Sequence, residues 1–247
     1  MLTGGYPGNQ AEWCRVPNAD LVCVKAPKDV SAKKLLGLCD VRKGDVVGVW
    51  GCGAVGLSIQ RLALFRGAKK VYAIDKDRHR LALAEKYGSI PVDVSAHKDV
   101  ADYILGVEPH GLDRGIEASG FRSFAEGDSG DTVSAIIKAT RKGGNIALIG
   151  DFFFTTNQFP IGALMEKAIT LRGDNYMPKR CRIPVPHYFP YLLDITVKNE
   201  YDPSFMFTHE DDFENISDDY AKFNTHEIPG GLKVCLVTEF GRTHPTG

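Results

Sequence analysis

Residues 46–75 read VVGVWGCGAVGLSIQRLALFRGAKKVYAID, and this run leaves few folds open. Val46–Trp50 is an unbroken apolar, β-branched stretch of strand length. Three glycines at a spacing of G-x-G-x-x-G follow at once (Gly51, Gly53, Gly56). The next residues carry apolar side chains at helical spacing, with Val55, Ile59, Leu62 and Ala63 expected on the inward face. Gly67 stops the helix as a C-terminal glycine does. Lys70–Asp75 then reads as a second strand that closes on an acid. Strand, glycine turn, helix and strand are the signature of a βαβ unit and a parallel sheet.

The same alternation continues through the middle of the chain. A helix is expected over Asp77–Tyr87, with Leu81, Leu83 and Ala84 inward, and Gly88 after it. Ile90–Val92 is a third strand, Val100–Leu105 a weaker helix and Leu112–Glu117 a fourth strand. Thr132–Ala139 is helical through Val133, Ile136 and Ile137, with Gly143-Gly144 as its stop. Asn145–Ile149 and Ala168–Leu171 complete the set as strands five and six. The fold class is therefore α/β, a doubly wound parallel sheet of the Rossmann kind, over residues 41–176. The flanks, 1–40 and 177–247, have another character: turn signals such as GGYPGN and APKD, then a proline- and aromatic-rich stretch, MPKRCRIPVPHYFPY. A helix near Asp218–Phe223 and an end strand Leu232–Val237 follow. Two similar flanks around one centre point to a second, β-rich domain built from both ends.

The glycine turn also has a chemical reading. Gly51 permits the tight turn, Gly53 lets the backbone approach a pyrophosphate, and Gly56 lets the helix pack close to the strand. With Ala54 and Val55 they open a helix whose free N–H groups favour phosphate. Asp75 stands nineteen residues past Gly56, where a carboxylate accepts hydrogen bonds from an adenosine ribose. An acid there repels a 2′-phosphate, so NAD is favoured over NADP, an inference softened by Lys76, Arg78 and Arg80, since an arginine can take that phosphate. The plainer reading has Asp75 capping the next helix and the glycines only turning the chain. Ile149 and Gly150, at the end of strand five, would line a nicotinamide pocket, although strand core explains Ile149 as well. Glu117 and Ser119 close strand four at the same carboxyl edge, in contact with cofactor rather than in chemistry.

Other classes are set aside by composition. A net charge of −1 supplies no basic surface for nucleic acid or an acidic membrane. No apolar run nears the eighteen residues of a membrane span, and MLTGGYPGNQ lacks the basic and apolar regions of a secretory leader. Six scattered cysteines with no C-x-x-C pair fit neither a disulfide framework nor a four-cysteine zinc site. A cytoplasmic location is expected. There is no G-x-S-x-G elbow for a hydrolase. The histidines show no H-E-x-x-H, His209 reads as structural and His79 as a solvated residue. The run HEDDFENISDD reads as a solvated approach to a helix, lacking the glycine and last glutamate of a calcium loop.

VWGCGAVGLSIQRLALFRGAKKVYAID, FPIGALMEKAITLRGDN and YDPSFMFTHE together resemble the zinc-type medium-chain alcohol dehydrogenase family. The nearest branch is that of glutathione-independent formaldehyde dehydrogenases and fungal alcohol dehydrogenases. The resemblance implies a GroES-like catalytic domain, present here in part, packed on an NAD-binding Rossmann domain. It implies hydride transfer between NAD and a small alcohol or hydrated aldehyde polarised by zinc. Of the zinc ligands, the resemblance places one at Asp40, in LCDV, with Cys39 beside it as a distractor. The resemblance implies two further ligands, a cysteine and a histidine followed by glutamate, in a segment before the match begins. No Gly-His-Glu stretch occurs here, and Val41 runs straight into Arg42-Lys43-Gly44-Asp45 where the family has an inter-domain helix. The chain is thus expected to be a truncated or differently spliced product. The competing expectation is a nucleotide-holding remnant or interaction subunit without zinc chemistry. Expected partners are the small-molecule substrate, with no nucleic acid and no membrane; a homo-oligomer is admitted by the apolar surface that missing segments would uncover.

Overall fold

A computed structural model describes residues 41–120, 131–152, 155–156, 159–173, 185–225 and 227–243, the side chains of 185–189 excepted. The chain divides into two compact units, one spanning 36–188 and the other taking in 189–247.

The first unit is a six-stranded parallel sheet. Its elements run β1 (Val46–Trp50), α1 (Ala54–Phe65), β2 (Lys70–Asp75), α2 (Arg78–Lys86), β3 (Ile90–Asp93) and α3 (Val100–Val107). They continue as β4 (Leu112–Glu117), α4 (Asp131–Ala139), β5 (Thr140–Leu148), α5 (Ile161–Glu166) and β6 (Thr170–Gly173). The strand order is β3-β2-β1-β4-β5-β6, with every pairing parallel. The chain winds outward from β1 to β3, crosses back, and winds outward again from β4 to β6. The order therefore reverses between β1 and β4, leaving a crevice at their carboxyl ends.

Period-two alternation sends β-strand side chains to opposite faces, and both faces are covered. On one, Val47, Val49, Val71 and Ile116 pack with Ile59 and Ala63 of α1. On the other, Trp50, Tyr72, Ile74 and Leu112 pack with Ile104, Val133, Ile136 and Ile137 of α3 and α4. Burying each of these valines, leucines and isoleucines stabilises the fold by about 1.5–3 kcal/mol. Coverage on both sides is why these strands read as nearly continuous apolar runs.

Several expectations need correction. Val55 does not face inward: it is 53% exposed, because the helix begins only at Ala54 and its first turn stands clear of the sheet. Gly143-Gly144 does not stop α4, which ends at Ala139. Its last carbonyls are satisfied from a distance: Lys167 Nζ donates to the carbonyls of Ile137, Lys138 and Thr140 at 3.0, 2.6 and 2.9 Å. The Thr140 hydroxyl donates to the Ile136 carbonyl at 2.7 Å. A cation and a hydroxyl thus do what a terminal glycine was expected to do. Both glycines lie instead within β5, which starts at Thr140 rather than Asn145, and the β4–β5 register shifts between Leu112 and Arg114. That strand also ends one residue early, leaving Ile149 beyond it. Finally, β6 is displaced to Thr170–Gly173, since Ala168 takes a left-handed conformation (φ 49°) that breaks an extended run.

In the second unit, α6 (Val185–Val197), which lies in it from residue 189 onward, leads to β7 (Phe207–Asp212), α7 (Ile216–Asn224), β8 (Lys233–Val237) and α8 (Glu239–Thr243). The strands β7 and β8 pair in parallel. The acidic run is therefore not all helix approach: His209–Asp212 belongs to a strand, and His209 Nδ1 lies 2.9 Å from the Thr208 hydroxyl oxygen.

Candidate functional site

The glycine turn leaves β1 and enters α1 at the crevice. Gly51 has φ +102°, and a Cβ on it would sit 2.9 Å from the Ala118 carbonyl and the Ser119 nitrogen. Its N–H donates to the Ile74 carbonyl at 2.8 Å, tying the turn to the end of β2 while it packs against the residues that follow β4. A Cβ on Gly56 would overlap the Gly51 carbonyl oxygen, so α1 can approach its strand only with glycine there. Gly53 differs: a Cβ built on it meets nothing within 4 Å. Neither a left-handed turn nor close packing of the chain demands glycine at that position, and the space beside it is open.

Gly53 is the N-cap residue of α1 and makes no side-chain cap bond, and no acid stands in the first turn. The first intrahelical donor is the Leu57 N–H, bonded to the Gly53 carbonyl at 2.9 Å. The amides of Ala54, Val55 and Gly56 precede it and lack intrahelical acceptors by helix geometry. With the helix dipole they form a local positive pole that suits a phosphate. The exposed Val55 sits on this open turn.

Asp75, at the end of β2, does not cap the next helix; Asp77 does, accepting from the His79 and Arg80 amides at 2.9 and 3.2 Å. Asp75 instead ties the glycine turn in place. Its Oδ2 accepts from the Cys52 N–H at 2.6 Å, and its Oδ1 from the Lys76 and Asp77 amides at 2.7 and 2.9 Å. Arg80 lies on the first turn of α2, its Nε 3.4 Å from Asp77 Oδ2. That Nε is buried and has no hydrogen-bond partner among the described residues. Arg78 points outward, 3.7 Å from Asp93.

Cys52 is fully buried between the two glycines. Burial, with Asp75 adding to it, pushes its thiol up to about 12, which leaves no thiolate at neutral pH. Gln60 Nε2 donates to its sulfur at 3.3 Å. This pair went unrecognised in the sequence, where Cys52 is only the variable letter of the motif; a glutamine one turn inside an apolar helix was the available signal.

At the other side of the crevice, Ile149 and Gly150 follow β5, and both their amides donate to the Glu117 carbonyl, at 2.9 and 3.2 Å. Ile149 also packs on the Val47–Ile116 cluster, so it serves as core whatever else it borders. Asp40 and Cys39 lie outside the described residues. Among the described residues no three His, Cys, Asp or Glu side chains gather as a metal site. By themselves they do not supply the three protein ligands of a catalytic zinc. Nor does any helix among them have the length and apolarity to cross a membrane. A separate cavity of about 200 Å³, bordered by Arg42, Arg114, Asn145 and Arg172, shares no residue with the glycine turn.

Comparison with known proteins adds the following. A family model described as zinc-binding dehydrogenase matches residues 54–195. A zinc-type alcohol dehydrogenase-like protein of Schizosaccharomyces pombe is 35% identical over 265 residues, covering 96% of this chain and 61% of that protein. One from Bacillus subtilis, uncharacterized and likewise zinc-type alcohol dehydrogenase-like, is 32% identical and covers 84% of this chain and 60% of its own length. Among solved structures, an alcohol dehydrogenase from Thermus sp. ATN1 superposes with a TM-score of 0.79 at 26% identity, over 93% of this chain and 65% of that one. The chain therefore spans about 60% of the length of these curated relatives.

Proposed function

Since the chain belongs to the zinc-binding dehydrogenase family, we propose that its parallel-sheet unit holds NAD across the carboxyl edge of the sheet. In this reading the complete protein transfers hydride between NAD and a small alcohol or hydrated aldehyde. The observation that carries it is the empty space at Gly53, beside the uncapped first turn of α1. The amides of Ala54, Val55 and Gly56 hold the pyrophosphate. Asp75 faces the adenosine ribose while fixing the turn, and its charge disfavours a 2′-phosphate. Arg80 borders the same end, and Ile149 and Gly150 border the nicotinamide end. When bound, NAD supplies the hydride acceptor; the residues named here bind and orient it. The names of the relatives, alcohol dehydrogenase-like, support the substrate class.

The test joins cofactor titration to metal analysis of the purified chain and to NADH formation on adding a primary alcohol. Saturable NADH binding with about one zinc per chain and turnover supports the whole reading. Binding without zinc or turnover supports the cofactor half alone and favours a nucleotide-holding subunit. No binding overturns both.

A further inference from the structure

Glu117 is a buried carboxylate at the crevice that the cofactor reading does not use. It ends β4 with a fully buried side chain. Its Oε1 accepts from the Ser119 amide at 2.8 Å, the Gly120 amide at 2.9 Å and the Ser119 hydroxyl. Its carbonyl receives the Ile149 and Gly150 amides from beyond β5. One residue therefore fixes the turn after β4 through its side chain and the turn after β5 through its backbone. The two turns are in close register: a Cβ on Gly120 would lie 2.8 Å from the Asp151 nitrogen, and a Cβ on Gly150 would overlap Glu117 Oε2. Oε2 itself has no hydrogen-bond partner among the described residues. A buried carboxylate is costly to keep unless its bonds hold something in place. Three donors on one oxygen hold a turn.

In a sheet of this order, one mononucleotide half lies over the β1–β2 side and the other over the β4–β5 side. We propose that Glu117 is a positioning residue for the nicotinamide half of the cofactor, shaping the seam between the two turns without touching the reacting atoms. It acts through Oε1 as an acceptor and not through its charge. This rests on the NAD reading above, and the experiment separates the two.

ADP-ribose and NADH are titrated calorimetrically into the wild type, Glu117→Ala, Glu117→Gln and Ser119→Ala. ADP-ribose reports the adenosine half and intact folding, NADH both halves. Glu117→Ala is expected to bind NADH at least tenfold more weakly and ADP-ribose within twofold of wild type. Glu117→Gln keeps an oxygen for the three donors and should restore NADH binding to within threefold. Ser119→Ala supplies the same contrast without emptying the buried site: about threefold weaker NADH and unchanged ADP-ribose. Equal losses for both ligands in Glu117→Ala and Ser119→Ala would make the role merely structural and overturn the inference. So would unchanged NADH binding in both, or a glutamine variant as weak as the alanine. A wild type that binds neither ligand overturns the NAD reading, and this inference with it.

Discussion

Replacing Asp75 by alanine separates the two jobs assigned to that carboxylate. In the folded chain it accepts three amides, from Cys52, Lys76 and Asp77. Lys76 is exposed, so water replaces its bond at little cost. Cys52 is fully buried, and its N–H is left without an acceptor. An orphaned buried donor costs about 1–3 kcal/mol, and the lost bonds to a charged acceptor push toward the upper half of that range. Asp75→Ala should therefore lower unfolding free energy in urea by about 1.5–3 kcal/mol with no cofactor present. NADH affinity should fall further, about tenfold or more, from the lost ribose acceptor and a loosened turn together. Asp75→Asn should fall between, since its amide must face one of the donors with another donor. A cofactor-free stability within about 0.5 kcal/mol of wild type would refute the tie between Asp75 and the turn, surface changes being of that size. A loss of stability with NADH affinity unchanged would refute the ribose assignment.

Other outcomes follow from the same geometry. The Cys52 thiol, pushed up to about 12, should resist alkylation in the native chain at pH 8 and react once urea exposes it; rapid native labelling at Cys52 would contradict its burial. The Lys70 ammonium holds Glu108 below the ordinary carboxylate range against the opposing effect of burial, and the Tyr72 hydroxyl adds a weaker pull in the same direction as Lys70. A depressed folded value contributes stability above the unfolded value and loses it as pH falls through the folded one. Wild type should thus exceed Glu108→Gln at pH 7 by at most about 1 kcal/mol, because Lys70 is partly exposed. The gap should close as pH drops below about 4.3; a gap that persists or widens in acid would contradict the pairing.

The sheet was readable because its strands are buried on both faces and its helices carry apolar stripes, so β1 to β4 and their helices fall close to where the pattern puts them. Local chemistry misled where a distant residue took over. Gly143-Gly144 looks like a helix stop, yet Lys167 caps α4 from across the fold, and no window around Ala139 contains that lysine. Val55 has the right spacing for an inward face but stands on the first turn, before the helix reaches the sheet. β7 was missed because HEDD carries no apolar alternation. The glycine turn was legible at the carboxyl edge between β1 and β4, while the buried supports around it could not be seen. Gln60 against Cys52, and Glu117 under its turn, are single polar residues in apolar surroundings, and only the packed structure says what they bond.

The claim that Gly53 is open for a pyrophosphate is tested most directly by titrating NADH into wild type and Gly53→Val, with thermal unfolding of both. The Gly53 backbone is extended (φ −69°, ψ −178°), a conformation valine adopts, and a Cβ there meets nothing, so the variant should fold almost as well as wild type. Its side chain occupies the approach path. We expect wild type to bind one NADH per chain and the variant to bind at least tenfold more weakly. Equal affinities in the two proteins, or no binding by either, would contradict the account.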